Sequence, residues 1–216
     1  MTLLDPTDVL DEGGRDDEER HDGASLTESL QALPALGDDI YLRFQAFNLG
    51  LVDNLLTDWE RDVLSEYHRK EGTPTASAIV VGAVGQLWVF GIYELLRTWR
   101  QRGRELLAFA DELAGLDEQA RQPRLDQKKA EVQAASADPA RPNPAHLATF
   151  ERVARDPAFP GSLRDALDRS EWPFRKLEAL RVHLAKHENP KAKGSYAMAP
   201  GYARIDEVSL ALNLRL

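Results

Sequence analysis

From Ile40 to Tyr67 the apolar residues Tyr41, Phe44, Val52, Leu55, Leu56, Trp59 and Val63 recur at helical spacing. This predicts a long helix with one apolar side. Gly37-Asp38-Asp39 places acids at its positive dipole end, and Lys70-Glu71-Gly72-Thr73-Pro74 ends it. Thr75 or Ser77 caps the next helix. Its segment Ala78–Leu96 is apolar almost all round, which suits either the centre of a bundle or a membrane span. Gln86 near its middle, the glycines Gly82, Gly85 and Gly91, and Glu94 in its last turn favour the bundle centre. The glycines would let a neighbouring helix approach closely.

The helical pattern runs on through Arg97, Arg100, Arg102 and Arg104, then continues or restarts over Leu106–Leu116. Residues 117–145 are polar and carry four prolines, so a solvated helical insert over Leu125–Ala134 and a loop are expected. Ala145–Ala154 predicts a short helix with Leu147, Phe150 and Val153 inward. A further turn of helix spans Ser162 to Leu167. The next helix covers Glu171–Glu188, with Pro173 in its first turn and a stripe of Leu177, Leu180 and Leu184. Asn189-Pro190 stops it.

After Pro190 the period changes to two. Val208, Leu210, Leu212, Leu214 and Leu216 alternate with smaller or polar residues, which predicts a strand with one buried face. Ser195–Met198 is its expected hairpin partner. The fold class expected is therefore mainly α: an up-and-down helical bundle over 37–190, a C-terminal β-hairpin over 191–216, and a disordered acidic tail over 1–36.

Charge sharpens the picture of the tail. Nine of the 36 acids and two of the 27 bases lie in residues 1–24, leaving 27 acids and 25 bases, or −2 of the total −9, for the remainder. Such a leader has too little apolar surface to offset the entropy of ordering. The near-neutral body has no broad basic face of the kind that tracks a nucleic-acid backbone. The absence of cysteine excludes a disulfide scaffold and a thiolate metal site, and the first residues lack a signal-peptide pattern. A cytoplasmic location is expected, with no metal and no cofactor.

The candidate chemistry sits on the late helix. Arg181 and His187 flank its apolar stripe, and His183 and His187 share a face. Arginine offers a permanently charged fork for phosphate oxygens, and histidine titrates where it can act as acid or base. Glu94, Arg97 and Arg100 keep helical register on the long core helix, as a patch that could face them or as ordinary surface pairs. His183 and His187 alone give only two metal ligands.

A long core helix, a second amphipathic helix and a late helix carrying Arg181 and His187 with five residues between them resemble the HEPN superfamily. These are small all-α bundles, many of them ribonucleases of toxin–antitoxin and phage-defence systems. The resemblance spans residues 38–188 and implies a homodimer that cleaves RNA without metal. It implies His187 as acid/base group and Arg181 as phosphate clamp, with His183 and Glu94 as second catalytic choices. Lys186, Arg97 and Arg100 would bind RNA phosphate, and an antitoxin-like protein would be a partner. The stripe on the late helix would contribute to the dimer contact.

The family usually carries a polar residue directly after the arginine, where this chain has Val182. That departure and the near-neutral body favour a second reading, a non-enzymatic helical protein-interaction module with a degenerate site. The third is a single-span membrane protein through 78–96.

Overall fold

A computed structural model describes residues 23–70, 75–135 and 144–186, together with the backbone of 202–205 and 212–214. The chain is mainly helical: α1 (Gly23–Gln31), α2 (Ile40–Lys70), α3 (Thr75–Ala114), α4 (Glu118–Ala134), α5 (Pro144–Arg155) and α6 (Phe159–Lys186). The spine is α3, 40 residues and so about 60 Å long. It is one helix, with no break between the apolar stretch, the arginines and Leu106.

Two long helices run antiparallel to this spine. On α2, Asp39 meets Arg102 and Leu49 meets Gly91, where a Cβ would come within 2.8 Å of the leucine side chain. On α6, Arg164 pairs with Asp111, Leu163 and Leu167 close over Gly103, and Phe174 stacks on Tyr93. The main core gathers where α3, α5, α6 and the α1–α2 turn converge, around Trp99, Leu106, Phe109, Phe150, Phe159 and Leu163. The Trp99 indole donates to the Pro34 carbonyl at 2.7 Å and fastens that turn. Asp39 caps α2, its carboxylate accepting from the Tyr41 and Leu42 amides at 2.9 and 3.2 Å while Arg102 of α3 holds the other oxygen.

Several expectations are corrected. The folded residues begin before 37: α1 packs on α2, and Leu30, Ala35 and Leu36 are buried, because this stretch regains the apolar side chains that the acidic leader lacks. Residues 1–22 lie outside the described ones. The bundle centre is formed by Ile92, Leu95, Trp99, Leu106 and Phe109 rather than by 78–91. The earlier half of α3 packs on α2 through a small cluster of Leu56, Val63, Val81 and Trp88, and leaves Ile79, Val80 and Leu87 exposed.

The insert is a packed helix. Leu125 of α4 enters the core, and Arg124, Lys128 and Lys129 reach Glu112, Glu105 and Glu151. Leu125, Val132 packed against the same core, and three flanking cations hold it down. Pro173 lies inside α6 rather than at its start, since the buried Leu163, Ala166 and Leu167 carry the helix through the missing donor. The expected hairpin partner Ser195–Met198 lies outside the described residues, as does most of 191–216. The backbone described there consists of Tyr202–Ile205 paired antiparallel with Leu212–Leu214.

A last correction concerns α2, which was expected to be apolar on one side. Leu42, Ala46, Leu56 and Val63 face inward, yet Ile40, Tyr41, Phe44, Phe47, Leu51 and Leu55 are each between 42% and 63% exposed. The helix carries a second apolar face that nothing among the described residues covers.

Candidate functional site

The late-helix arginine sits over a ring. Its guanidinium carbon is 4.5 Å from the centroid of Tyr93, a buried residue of α3. The Tyr93 hydroxyl lies 3.5 Å from the Glu178 carboxylate, and its ring stacks on Phe174 at 5.3 Å and 16°. Beyond Phe174 lies Arg100, 4.9 Å from that ring. The sequence builds this column because Tyr93 and Arg100 are two turns apart on α3, as are Phe174 and Arg181 on α6. The result is a cation–aromatic–aromatic–cation ladder across the α3–α6 seam.

Its two ends differ. Arg181 is half-buried. Arg100 is only 4% exposed. One of its nitrogens, Nη1, donates to the Leu167 carbonyl at 3.0 Å and the Ser170 hydroxyl at 2.6 Å, and the other, Nη2, meets Glu171. Its Nε has no hydrogen-bond partner among the described residues. Glu171 is also held by Arg175 at 2.6 Å. Arg175, followed by Arg100, keeps the Glu171 carboxyl below the usual carboxylate range.

Arg100 is therefore a clamp between helices and offers nothing to a phosphate in this arrangement, because its donors point into the seam. Glu94 and Arg97 form a half-exposed pair at 2.8 Å, one turn apart on their own helix. Such a pair contributes about half a kcal/mol or less. The α3 side chain that meets Arg181 is Tyr93, not Glu94. The side chains of His183 and Lys186 lie outside the described residues, as does His187. No family model, curated protein or solved structure matches this chain.

The α6 stripe expected to serve a dimer is used within the subunit. Leu184 is buried and Leu177 packs against the main core. Among the described residues no group of three or more His, Asp or Glu side chains is placed to hold a metal. A groove of about 330 Å³ lies elsewhere, between α2 and α3, lined by Trp59, Asp62, Glu66, Ser77, Val80 and Val81.

Sequence reasoning missed the Tyr93–Phe174 platform and the second face of α2. The first left a signal: Tyr93 and Phe174 each stand seven residues before an arginine, two turns along one helix face. The second was legible too, since Ile40, Phe44, Phe47, Leu51 and Leu55 recur at three and four beside the inward set.

Proposed function

We propose that this chain is a non-enzymatic helical interaction module whose binding surface is the outward face of α2. One observation carries the reading: six large apolar side chains lie exposed along one helix. At roughly 200 Å² per large side chain their exposed fractions amount to about 600 Å². That is the upper end of the largest patch on an ordinary monomer, about 300–600 Å². Apolar surface on this scale drives association. The cytoplasmic location expected from the sequence belongs to this proposal.

The test is photo-crosslinking in the native cell from a reactive residue placed at Phe44, with Arg121 on α4 as control. Position 44 should yield protein adducts and position 121 none. The absence of any adduct at 44, to itself or to another chain, refutes the reading.

The HEPN-type reading, metal-free RNA cleavage with His187 as acid/base group and Arg181 on phosphate, is the second proposal. It is supported by Arg181, half-buried at the less buried end of its ladder and six residues before His187. His187→Ala should then abolish cleavage of mixed RNA with helicity unchanged. Full activity in that variant, or no cleavage by wild type between pH 5 and 8, refutes it.

A span through 78–96 has the required length and apolarity, since the helix over 76–114 is long and apolar enough to cross a membrane. The packing argues against it. The helix that lies along this stretch, α2, carries Asp58 and Arg61, which are 70% and 54% exposed. A span would take both into hydrocarbon, at about 2.5–3.5 kcal/mol per charge even on the lenient scale.

A further inference from the structure

We propose that the outer face of α2 binds the same face of a second copy of this chain, the two helices antiparallel about a two-fold axis between Phe47 and Asn48. The inference rests on the interaction-module reading and supplies its partner. At about 100° per residue, Ile40, Phe44, Phe47, Leu51 and Leu55 fall within an arc of about 80°, centred opposite the inward-facing Leu42 and Ala46. The helix is thus a double-sided plate, with one side committed to α3 and the other uncovered by the described residues.

Three observations select a second copy. The first is the order of the stripe, which is nearly its own reverse. In an antiparallel pair with the axis at 47/48, Ile40 meets the partner's Leu55 and Phe44 meets the partner's Leu51, while Phe47 packs beside the axis. An isologous contact requires this self-complementarity, and a partner of unrelated sequence does not.

The second is area. The five side chains of the stripe expose about 500 Å² at roughly 200 Å² each, so two faces bury about 1,000 Å² together, the least that a biological interface should clear.

The third is charge. Between Ile40 and Leu56 the only charged residues are Arg43 and Asp53. Helices that lie on anionic lipid carry a polar face rich in Lys and Arg, and one arginine does not supply it. Asn48 borders the stripe beside the axis, level with the partner's Phe47, and a polar residue at one point of an apolar seam fixes register.

The chain has no cysteine, so single introduced thiols report on geometry directly. Purified wild type should run at twice 24.2 kDa by light scattering after gel filtration. Asn48→Cys should form a disulfide dimer under mild oxidation. Ser65→Cys should not, because an antiparallel pair holds its two copies about 50 Å apart. The double variant Phe44→Asp/Leu51→Asp should dissociate at least a hundredfold more readily, with circular dichroism unchanged, since both positions are exposed.

A wild-type monomer at 100-fold the cellular concentration overturns the inference. So does a dimer that survives the double variant, or one that cross-links through Ser65. A wild-type monomer whose Phe44 position still gives heterologous adducts in the cell overturns the self-pairing alone. A monomer with no adducts overturns the module reading with it.

Discussion

Replacing Arg100 by methionine separates a clamp from a phosphate ligand. The guanidinium donates to the Leu167 carbonyl and the Ser170 hydroxyl from a position 4% exposed, and lies over the Phe174 ring. Each hydrogen bond from a charged donor is worth about 1.5–3 kcal/mol, and a desolvated cation–π contact about 2. Three effects reduce the loss. Methionine retains an apolar body against Phe174. The Ser170 hydroxyl still donates to the Leu167 carbonyl at 2.8 Å and Arg175 still holds Glu171 at 2.6 Å, so none of the three acceptors is orphaned. The buried Nε without a partner disappears, which returns about 1–3 kcal/mol.

The net expectation is a destabilisation of about 2–3 kcal/mol. For a chain of this size that is a fall in Tm of about 4–12 °C. Arg100→Lys should fall between, because an ammonium cannot reproduce the fork. Urea unfolding with an unchanged m-value gives the stability, and RNA binding by anisotropy across a salt series gives the alternative role. A variant within about 0.5 kcal/mol of wild type would refute the clamp. Weakened RNA binding with unaltered stability would return Arg100 to the phosphate set.

Asp39→Ala should cost about 3 kcal/mol in the same assay, near 1 from the lost cap and about 2 from the bond to Arg102. Asp39→Asn keeps the cap and should cost about 2 kcal/mol, the share of the Arg102 bond; equal losses in the two would deny the cap its part. Gly37→Ala places a Cβ 2.0 Å from the Gln31 carbonyl oxygen, so the α1–α2 turn must open at a cost of about 1–3 kcal/mol. Gly161→Ala meets nothing within 4 Å and should stabilise by about 0.5–1 kcal/mol; thermal melts of the two should move in opposite directions.

His146 is half-buried, and burial followed by Arg102 lowers its pKa below 6.5. The folded state therefore binds fewer protons than the unfolded chain below that value. Its contribution is complete above pH 6.5 and is lost as the pH falls toward the depressed folded pKa. Melting temperatures in His146→Phe should lack this limb; a limb that persists assigns it elsewhere. Glu112, Glu151 and Glu171, lowered from 4.5 chiefly by Arg124, Lys129 and Arg175 respectively, add a second loss below about pH 4.5.

Local pattern by itself determined most of the helices. The start of α2 at Asp39 and its end before Gly72, the inward positions Phe150 and Val153 of α5, and the continuation of α3 through its arginines all follow from capping chemistry and a 3.6-residue period. Those are properties of neighbouring residues and need no partner.

Tertiary structure decided everything that depends on what lies opposite. Period alone could not say that residues 92–113 rather than 78–91 form the centre, because a stretch apolar all round is equally content beside one helix or five. Nor could it bury Arg100 while leaving Arg97 in water, since both share a helical register with Glu94. The α3–α6 seam made that choice, by closing over one side chain and not the other. The same holds for α2, whose two apolar stripes read as one set until the position of α3 assigned an inside. Hydrophobic spacing records that a face must be covered; only the packed chain shows which face the described residues leave exposed.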